Sequence, residues 1–185
     1  MKTKFLQQTI QYDGTQLRSH FIYEQTGILG NCLIAFQGPC DVPLTAMVDQ
    51  VDVRNREPIY SERMLHFIGE FFGFNLSTTV FAQRLLMVSI METILKLKPK
   101  LSILRQGDDL YVGKKKLSVS IATITPVSTV LHAGLNISSQ NTPVPTIGLK
   151  DLKISTPILA KAVLKAWEQE FASVQEALVK VRAVP

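Results

Sequence analysis

Residues 101–137 constrain the fold more than any other stretch of this chain. Before them the apolar residues recur at helical spacing. Within them the pattern turns to apolar–polar alternation, the period-two signature of strands. Three strands are expected, Leu101–Arg105, Lys116–Thr125 and Ser128–Ile137, with a tight hairpin at Pro126 and Asp108–Val112 as a candidate short fourth. Counting along the second strand puts Leu117, Val119 and Ile121 on one face and Lys116, Ser118 and Ser120 on the other. A lysine and two hydroxyls on a sheet face with no obvious covering helix form a candidate site floor. Asp108 and Asp109 come just before the run Lys114–Lys116, and His132 and Asn136 lie on the following strand.

The flanking sequence supplies helices and further strands. Residues 3–11 and Cys32–Phe36 read as strands, the second ended by a Gly38-Pro39-Cys40 turn. Thr15–Gln25 reads as a short helix stopped by Gly27, and Met47–Val53 as an extended segment. Ser61 is placed to cap a helix running to Phe72, with Met64, Leu65, Ile68, Phe71 and Phe72 as its buried stripe. On that helix His66 would sit four residues from both Glu62 and Glu70, an ion-pairing arrangement. Ser77 or Thr78 opens a second helix that runs to about Leu97 before Pro99. Residues 141–148 form a Pro/Gly loop, and Thr156-Pro157 opens a last helix whose apolar positions, Trp167 among them, keep helical spacing. The sum is an α+β fold, a mixed or antiparallel sheet flanked by helices, built as a single domain over residues 1–185.

Composition narrows the partners. With 46% apolar and 19% charged residues the chain has globular, not disordered, composition. A net charge of +5 favours small anionic ligands and is too mild to argue for nucleic acid. The N-terminus lacks the apolar core of a signal peptide, and the most apolar helix, Leu85–Leu97, reads as a core helix and not a membrane span. Cys32 and Cys40 form neither a CxxC pair nor a disulfide framework, so a cytoplasmic protein without a zinc site is expected. Cys40 reads as a small buried hydrophobe. Asp49 and Asp52 lack a third ligand at usable spacing and read as a solvated pair, so no metal is expected. A homo-oligomer stays open.

Lys116 is the expected electrostatic group, placed to stabilise negative charge on a reacting carbonyl in a dry pocket. Arg18 is the candidate anion contact from outside the sheet. Asp13 and Asp109 are candidates to orient a lysine or bind a ligand hydroxyl, and Asn136 to bond a strand end or a ligand. His132 reads as a core histidine satisfied by a backbone carbonyl, with a base as the other reading. Lys114 and Lys115 read as a solvated turn.

Asp109-Leu-Tyr-Val112, Gly113-Lys-Lys-Lys116-Leu-Ser-Val-Ser-Ile-Ala122 and Leu131-His-Ala-Gly-Leu-Asn-Ile137 together resemble the catalytic domains of lipoate–protein ligases, lipoyl(octanoyl) transferases and biotin–protein ligases. Those domains share the fold of class II aminoacyl-tRNA synthetase cores. The resemblance implies activation or transfer of a carboxylate or acyl group, with ATP or an acyl donor as co-substrate. It maps the shared lysine onto Lys116. The Gly-rich loops of the ligases have no counterpart here. Where the transferases carry a cysteine, this chain has Val144-Pro-Thr146-Ile-Gly148, which makes Thr146 the candidate nucleophile, one in need of an activating base. End to end, through Tyr12-Asp-Gly-Thr-Gln-Leu-Arg-Ser-His20, Gly38-Pro-Cys40, Gly107-Asp-Asp-Leu-Tyr-Val112 and Thr142-Pro-Val-Pro-Thr146, the chain also resembles the domain-of-unknown-function 366 family. The other functional reading is a non-catalytic module binding a nucleotide, an acyl group or an RNA end in the same cleft.

Overall fold

A computed structural model describes residues 1–184. In chain order these form β1 (Lys2–Thr9), α1 (Phe21–Thr26), β2 (Cys32–Val42), a 3-10 turn at Leu44–Ala46, α2 (Gln50–Asn55), β3 (Ile59–Phe71), α3 (Leu76–Leu97), β4 (Leu104–Gln106), β5 (Asp109–Val112), β6 (Lys115–Lys116), β7 (Ser118–Ile124), β8 (Thr129–Asn136) and α4 (Thr156–Val179). A five-stranded mixed sheet runs in the order β1-β2-β3-β8-β7, parallel only between β1 and β2. The short strands β4, β5 and β6 make a second, three-stranded sheet. The α+β class with a mixed sheet and flanking helices is therefore as expected.

The main sheet is buried on both faces, but unequally. One face presents Leu33, Ala35, Leu65, Phe67, Leu131, Ala133 and Leu135 to α3 and α4, which answer with Leu86, Met87, Ile90, Leu159, Val163 and Trp167. Burying side chains of this size stabilises the fold by about 1.5–3 kcal/mol each. The other face presents Ile34, Phe36, Met64 and Ile68 to the short helix α1 and to Tyr12, Val42 and Met47. These short pieces cover the β1–β2 side, and the β8–β7 side is left with a cleft. No helix of the described residues is long and apolar enough to cross a membrane.

Burial on both faces explains the largest departure from expectation. Residues 61–72 are not a helix but most of the central strand β3, paired with β2 and β8. From Met64 to Phe71 every side chain is buried, so no alternation survives in the sequence. A continuous apolar run of this kind matches helical spacing by accident. His66 and Glu70 tolerate burial there because each has partners. Glu70 Oε1 accepts from the His20 backbone N–H at 2.9 Å and from Ser128 Oγ at 2.7 Å.

Smaller corrections have local causes. The segment 47–53 is not extended. Asp49 accepts from the N–H groups of Val51 and Asp52 at 2.8 and 3.3 Å and so caps α2. Residues 15–19 are turns, and α1 starts only at Phe21, although Gly27 does end it with φ 69°. β2 continues through Gly38-Pro39-Cys40 to Val42 with an irregularity between Gly38 and Cys40, in place of a turn. Ile10 passes so close that a Cβ on Gly38 would lie 1.8 Å from its carbonyl oxygen, which only glycine permits. α3 is capped by Asn75, whose Oδ1 accepts from Thr78 N–H at 2.8 Å. The hairpin at Pro126 is present, closed by Thr125 N–H donating to Ser128 O at 2.8 Å.

Candidate functional site

The cleft has two adjoining chambers of about 150 and 110 Å3. Asp52, Ile59, Lys116 and Val119 line both. Lys116 thus stands at the junction. Two backbone pairings fix it there. On one side it faces Tyr111 of β5. On the other its N–H donates to Pro145 O and its carbonyl accepts from Ile147 N–H, both at 3.0 Å. Thr146, which pairs with Lys116 through this bridge, lines the second chamber.

Lys116 Nζ lies 2.8 Å from Asp109 Oδ2, with the two side chains only 28% and 21% exposed. Burial pulls the ammonium pKa down, but the hydrogen bond and charge of Asp109, helped by Tyr111 and Asp52, outweigh it and leave Lys116 raised and charged. Burial pushes the Asp109 carboxyl up, and Lys116 only partly offsets that. Asp52, on α2 above the junction, is also pushed up by burial and by Asp49, Glu57 and Asp109. One cation is therefore held among several acids.

Ser120 lines the first chamber and Ser118 the second, but their hydroxyls do not share the face of Lys116. The chain leaves the small sheet after Lys116, and Leu117 drops into the α3–α4 core before β7 begins. The alternation count does not carry across that break. Ser118 Oγ accepts from Leu110 N–H at 2.8 Å. Ser120 Oγ accepts from Gln83 Nε2 of α3 at 2.7 Å and donates to Asp108 O at 3.1 Å. Both hydroxyls therefore pin the Asp108–Leu110 segment and so hold Asp109 against Lys116.

The remaining candidates separate into two groups. Arg18 is turned away from the cleft. It pairs with Glu24 and lies over the Phe21 ring, half-exposed, because the turns of residues 15–19 carry it to the outer side of α1. Asp13 closes a local turn, accepting from Thr15 N–H at 3.0 Å and Thr15 Oγ1 at 2.6 Å, and these bonds lower its pKa. Its neighbour Gly14, not Asp13, lines the first chamber. His132 and Asn136, by contrast, are buried and line the first and second chambers respectively. The His132 ring is satisfied by another histidine and not by a backbone carbonyl: its Nε2 is 3.0 Å from His66 Nδ1. Asn136 is nearly enclosed, and what surface it keeps lies on the second chamber. Thr146 Oγ1 has Thr142 Oγ1 as its partner at 2.8 Å.

Sequence reasoning missed Tyr12, His66 and Asp52. Tyr12 stacks on His132 with centroids 3.9 Å apart and lines the first chamber. His66 could be found only once β3 is read as a strand, which sets it beside His132. No group of three or more His, Cys, Asp or Glu placed to hold a metal occurs among the described residues. Cys40 is fully buried, and burial pushes its thiol up to about 12.

The model of a family described as a domain of unknown function, DUF366, matches residues 1–182. The chain belongs to the DUF366 family. An uncharacterized protein of Methanocaldococcus jannaschii is 34% identical over 160 residues, spanning 83% of this chain and 72% of its own. A solved protein of unknown function from Pyrococcus horikoshi is 37% identical with a TM-score of 0.92, covering 100% of this chain and 99% of its own. The fold reaches further than the family. The biotin protein ligase of Aquifex aeolicus, solved with biotin and ATP, superposes with a TM-score of 0.63 at 13% identity over 95% of this chain and 72% of its own. Lipoate ligase-like structures share the same architecture. The DUF366 chain thus has the biotin/lipoate ligase catalytic-domain fold.

Proposed function

We propose that the DUF366 cleft binds a carboxylic acid or acyl compound with its carboxylate or carbonyl oxygen at Lys116, and that Lys116 stabilises negative charge there during acyl activation or transfer. The observation that carries this reading is the position of Lys116. It is charged, largely withdrawn from water, held by Asp109 and by two backbone pairings, and common to both chambers. Lys116 Nζ has three hydrogens, and one bond to Asp109 leaves donors for a ligand oxygen. A cation already fixed in place costs little reorganisation when charge develops. The fold adds support: one relative was solved with biotin and another with lipoate, and both compounds are carboxylic acids.

The electrostatics favour an acyl donor over a bare nucleotide. Lys116 is the only cation among the described residues lining either chamber, and Asp49, Asp52, Glu57, Asp108 and Asp109 line them with it, Asp108 being paired with Arg84 at 3.0 Å. A polyphosphate would meet mostly like charge unless escorted by cations of its own. The second reading, a binding module without chemistry, is favoured by Thr146: its partner is another hydroxyl and not a base.

Octanoyl transfer from a thioester donor and ATP–pyrophosphate exchange, measured on wild type and Lys116→Ala, test the reading. The expected outcome is turnover in one assay, reduced at least a hundredfold in the variant. Acid binding without turnover, weakened in Lys116→Ala, would select the binding module. Acid binding of unchanged strength in that variant would refute both.

A further inference from the structure

His66 Nε2 is 3.2 Å from the carbonyl oxygen of Gly38, and His66 Nδ1 is 3.0 Å from His132 Nε2. A carbonyl only accepts, so the His66 proton sits on Nε2. Its Nδ1 is then a lone pair, and His132 must donate to it from Nε2. His132 Nδ1 is left as a bare acceptor. Burial supports this neutral state of both rings, pushing the pKa of His66 down to about 3 and that of His132 well below its ordinary value.

His132 Nδ1 makes no hydrogen bond to the described residues. Yet no fully enclosed side-chain nitrogen or oxygen among them lacks a partner. The small accessible surface of His132 therefore includes Nδ1, and the space it opens onto is the first chamber. Tyr12 is stacked on the same ring, and its Oη is likewise without a hydrogen bond to the described residues. Leu17, Val42, Met47 and Ile121 supply apolar lining in the same chamber, which Lys116 also lines.

Resting on the reading of Lys116 given above, we infer that the first chamber selects acids whose far end carries an N–H or O–H donor, such as a carboxamide, over methyl-ended acids. The donor bonds to His132 Nδ1, and the Tyr12 hydroxyl offers a second polar contact. The apolar lining takes the chain between the two ends. A methyl-ended chain would strip water from the Nδ1 lone pair and return nothing, which is how a buried polar group rejects an isostere lacking its partner.

The test uses the whole protein labelled with 15N-histidine and three probes: adipamate, which has a carboxylate and a terminal amide; heptanoate, which ends in a methyl; and hexanamide, which has only the amide. At neutral pH His132 is expected to show an unprotonated Nδ1 and a protonated Nε2. Adipamate and hexanamide should both move the Nδ1 resonance. Adipamate should bind about tenfold more tightly than heptanoate by calorimetry, the worth of one hydrogen bond to an otherwise unpaired acceptor. A proton on His132 Nδ1, an unmoved Nδ1 resonance with both amides, or heptanoate binding as tightly as adipamate would each overturn the inference. The Lys116 reading is scored separately. If Lys116→Ala binds adipamate as well as wild type while the amides still move Nδ1, that reading falls and the donor selectivity stands.

Discussion

Lowering the pH from 7 to 5 is expected to destabilise the fold by about 2 kcal/mol through His66, with His132 acting in the same direction. Both rings are buried and neutral, and burial depresses both pKa values, that of His66 to about 3. In the unfolded chain each returns to about 6.5. As the pH falls below that value the unfolded state takes up protons that the folded state refuses, so stability drops. For His66 the loss between pH 7 and pH 5 is about 2 kcal/mol, and His132 adds to it in the same direction. That is a large share of the roughly 5–15 kcal/mol that holds a domain folded. The window is well separated from that of the carboxylates held low by hydrogen bonds, Asp13 and Asp151, whose contribution is lost only as the pH falls through their depressed values. Asp52 and Asp109 are raised and act with the opposite sign, gaining relative stability as they protonate. Urea unfolding followed by circular dichroism at intervals from pH 7 to 5 measures the slope. A His66→Gln, His132→Gln double variant keeps donor and acceptor ends but cannot titrate, and it subtracts the carboxylates. If wild type and double variant lose stability in parallel, the buried neutral pair is refuted.

Other perturbations separate structural from functional roles. Lys116→Met leaves Asp109 half-buried without its partner and should cost about 1–2 kcal/mol, discounted for partial exposure, whereas Lys116→Met with Asp109→Leu should recover most of that loss in thermal denaturation. Gly38→Ala drives a methyl into the Ile10 carbonyl and displaces the Gly38 oxygen that orients His66, so a loss of about 3 kcal/mol or more is expected by denaturant titration. Arg18→Ala removes only an exposed pair with Glu24 and should leave thermal stability and acid binding by calorimetry unchanged.

The elements that sequence reasoning placed well are bounded by clear start and stop signals, even where, as in β8 and the first half of β2, both faces are buried. α3 and α4 carry one apolar stripe each and end at recognisable signals, a Pro-flanked stop in one and Pro157 near the start of the other. β8 was found because turns bound it and its neighbours alternate. β3 was lost because both of its faces are covered and, at 13 residues, it is long enough to pass for a helix. With Met64–Phe71 uniformly buried, neither period two nor period 3.6 is privileged, and the accidental four-residue spacing of Glu62, His66 and Glu70 completed a false helix. That single misreading hid the histidine pair, since His66 reaches His132 only from a strand one position away in the sheet.

The site shows a second limit, one of parity. Lys116 was found from its place at the strand start, but its face was assigned by counting through Leu117. The count presumes one continuous strand. Here the chain passes from the small sheet to the large one at that residue, so Leu117 enters the core and the serines after it face α3 and the Asp108–Leu110 segment. The transfer has a use. A lysine on the large sheet would be ringed by the side chains of β8 and pointed by their alternation. On β6 it is instead clamped between β5, which brings Asp109, and the Pro145–Ile147 backbone, which closes the second chamber. Its height above the large sheet is then set by the small one, and Ser118 and Ser120 stitch the two together. Variants of those serines should consequently act on Lys116 through Asp109, although Ser120 also lines the first chamber and Ser118 the second. Ser120→Ala removes one of the bonds on Asp108, which Arg84 and Gln83 still hold, and it is expected to weaken acid binding severalfold while His132 keeps its tautomer in 15N spectra. A serine variant that shifts His132 and leaves acid binding unchanged would contradict this division of labour.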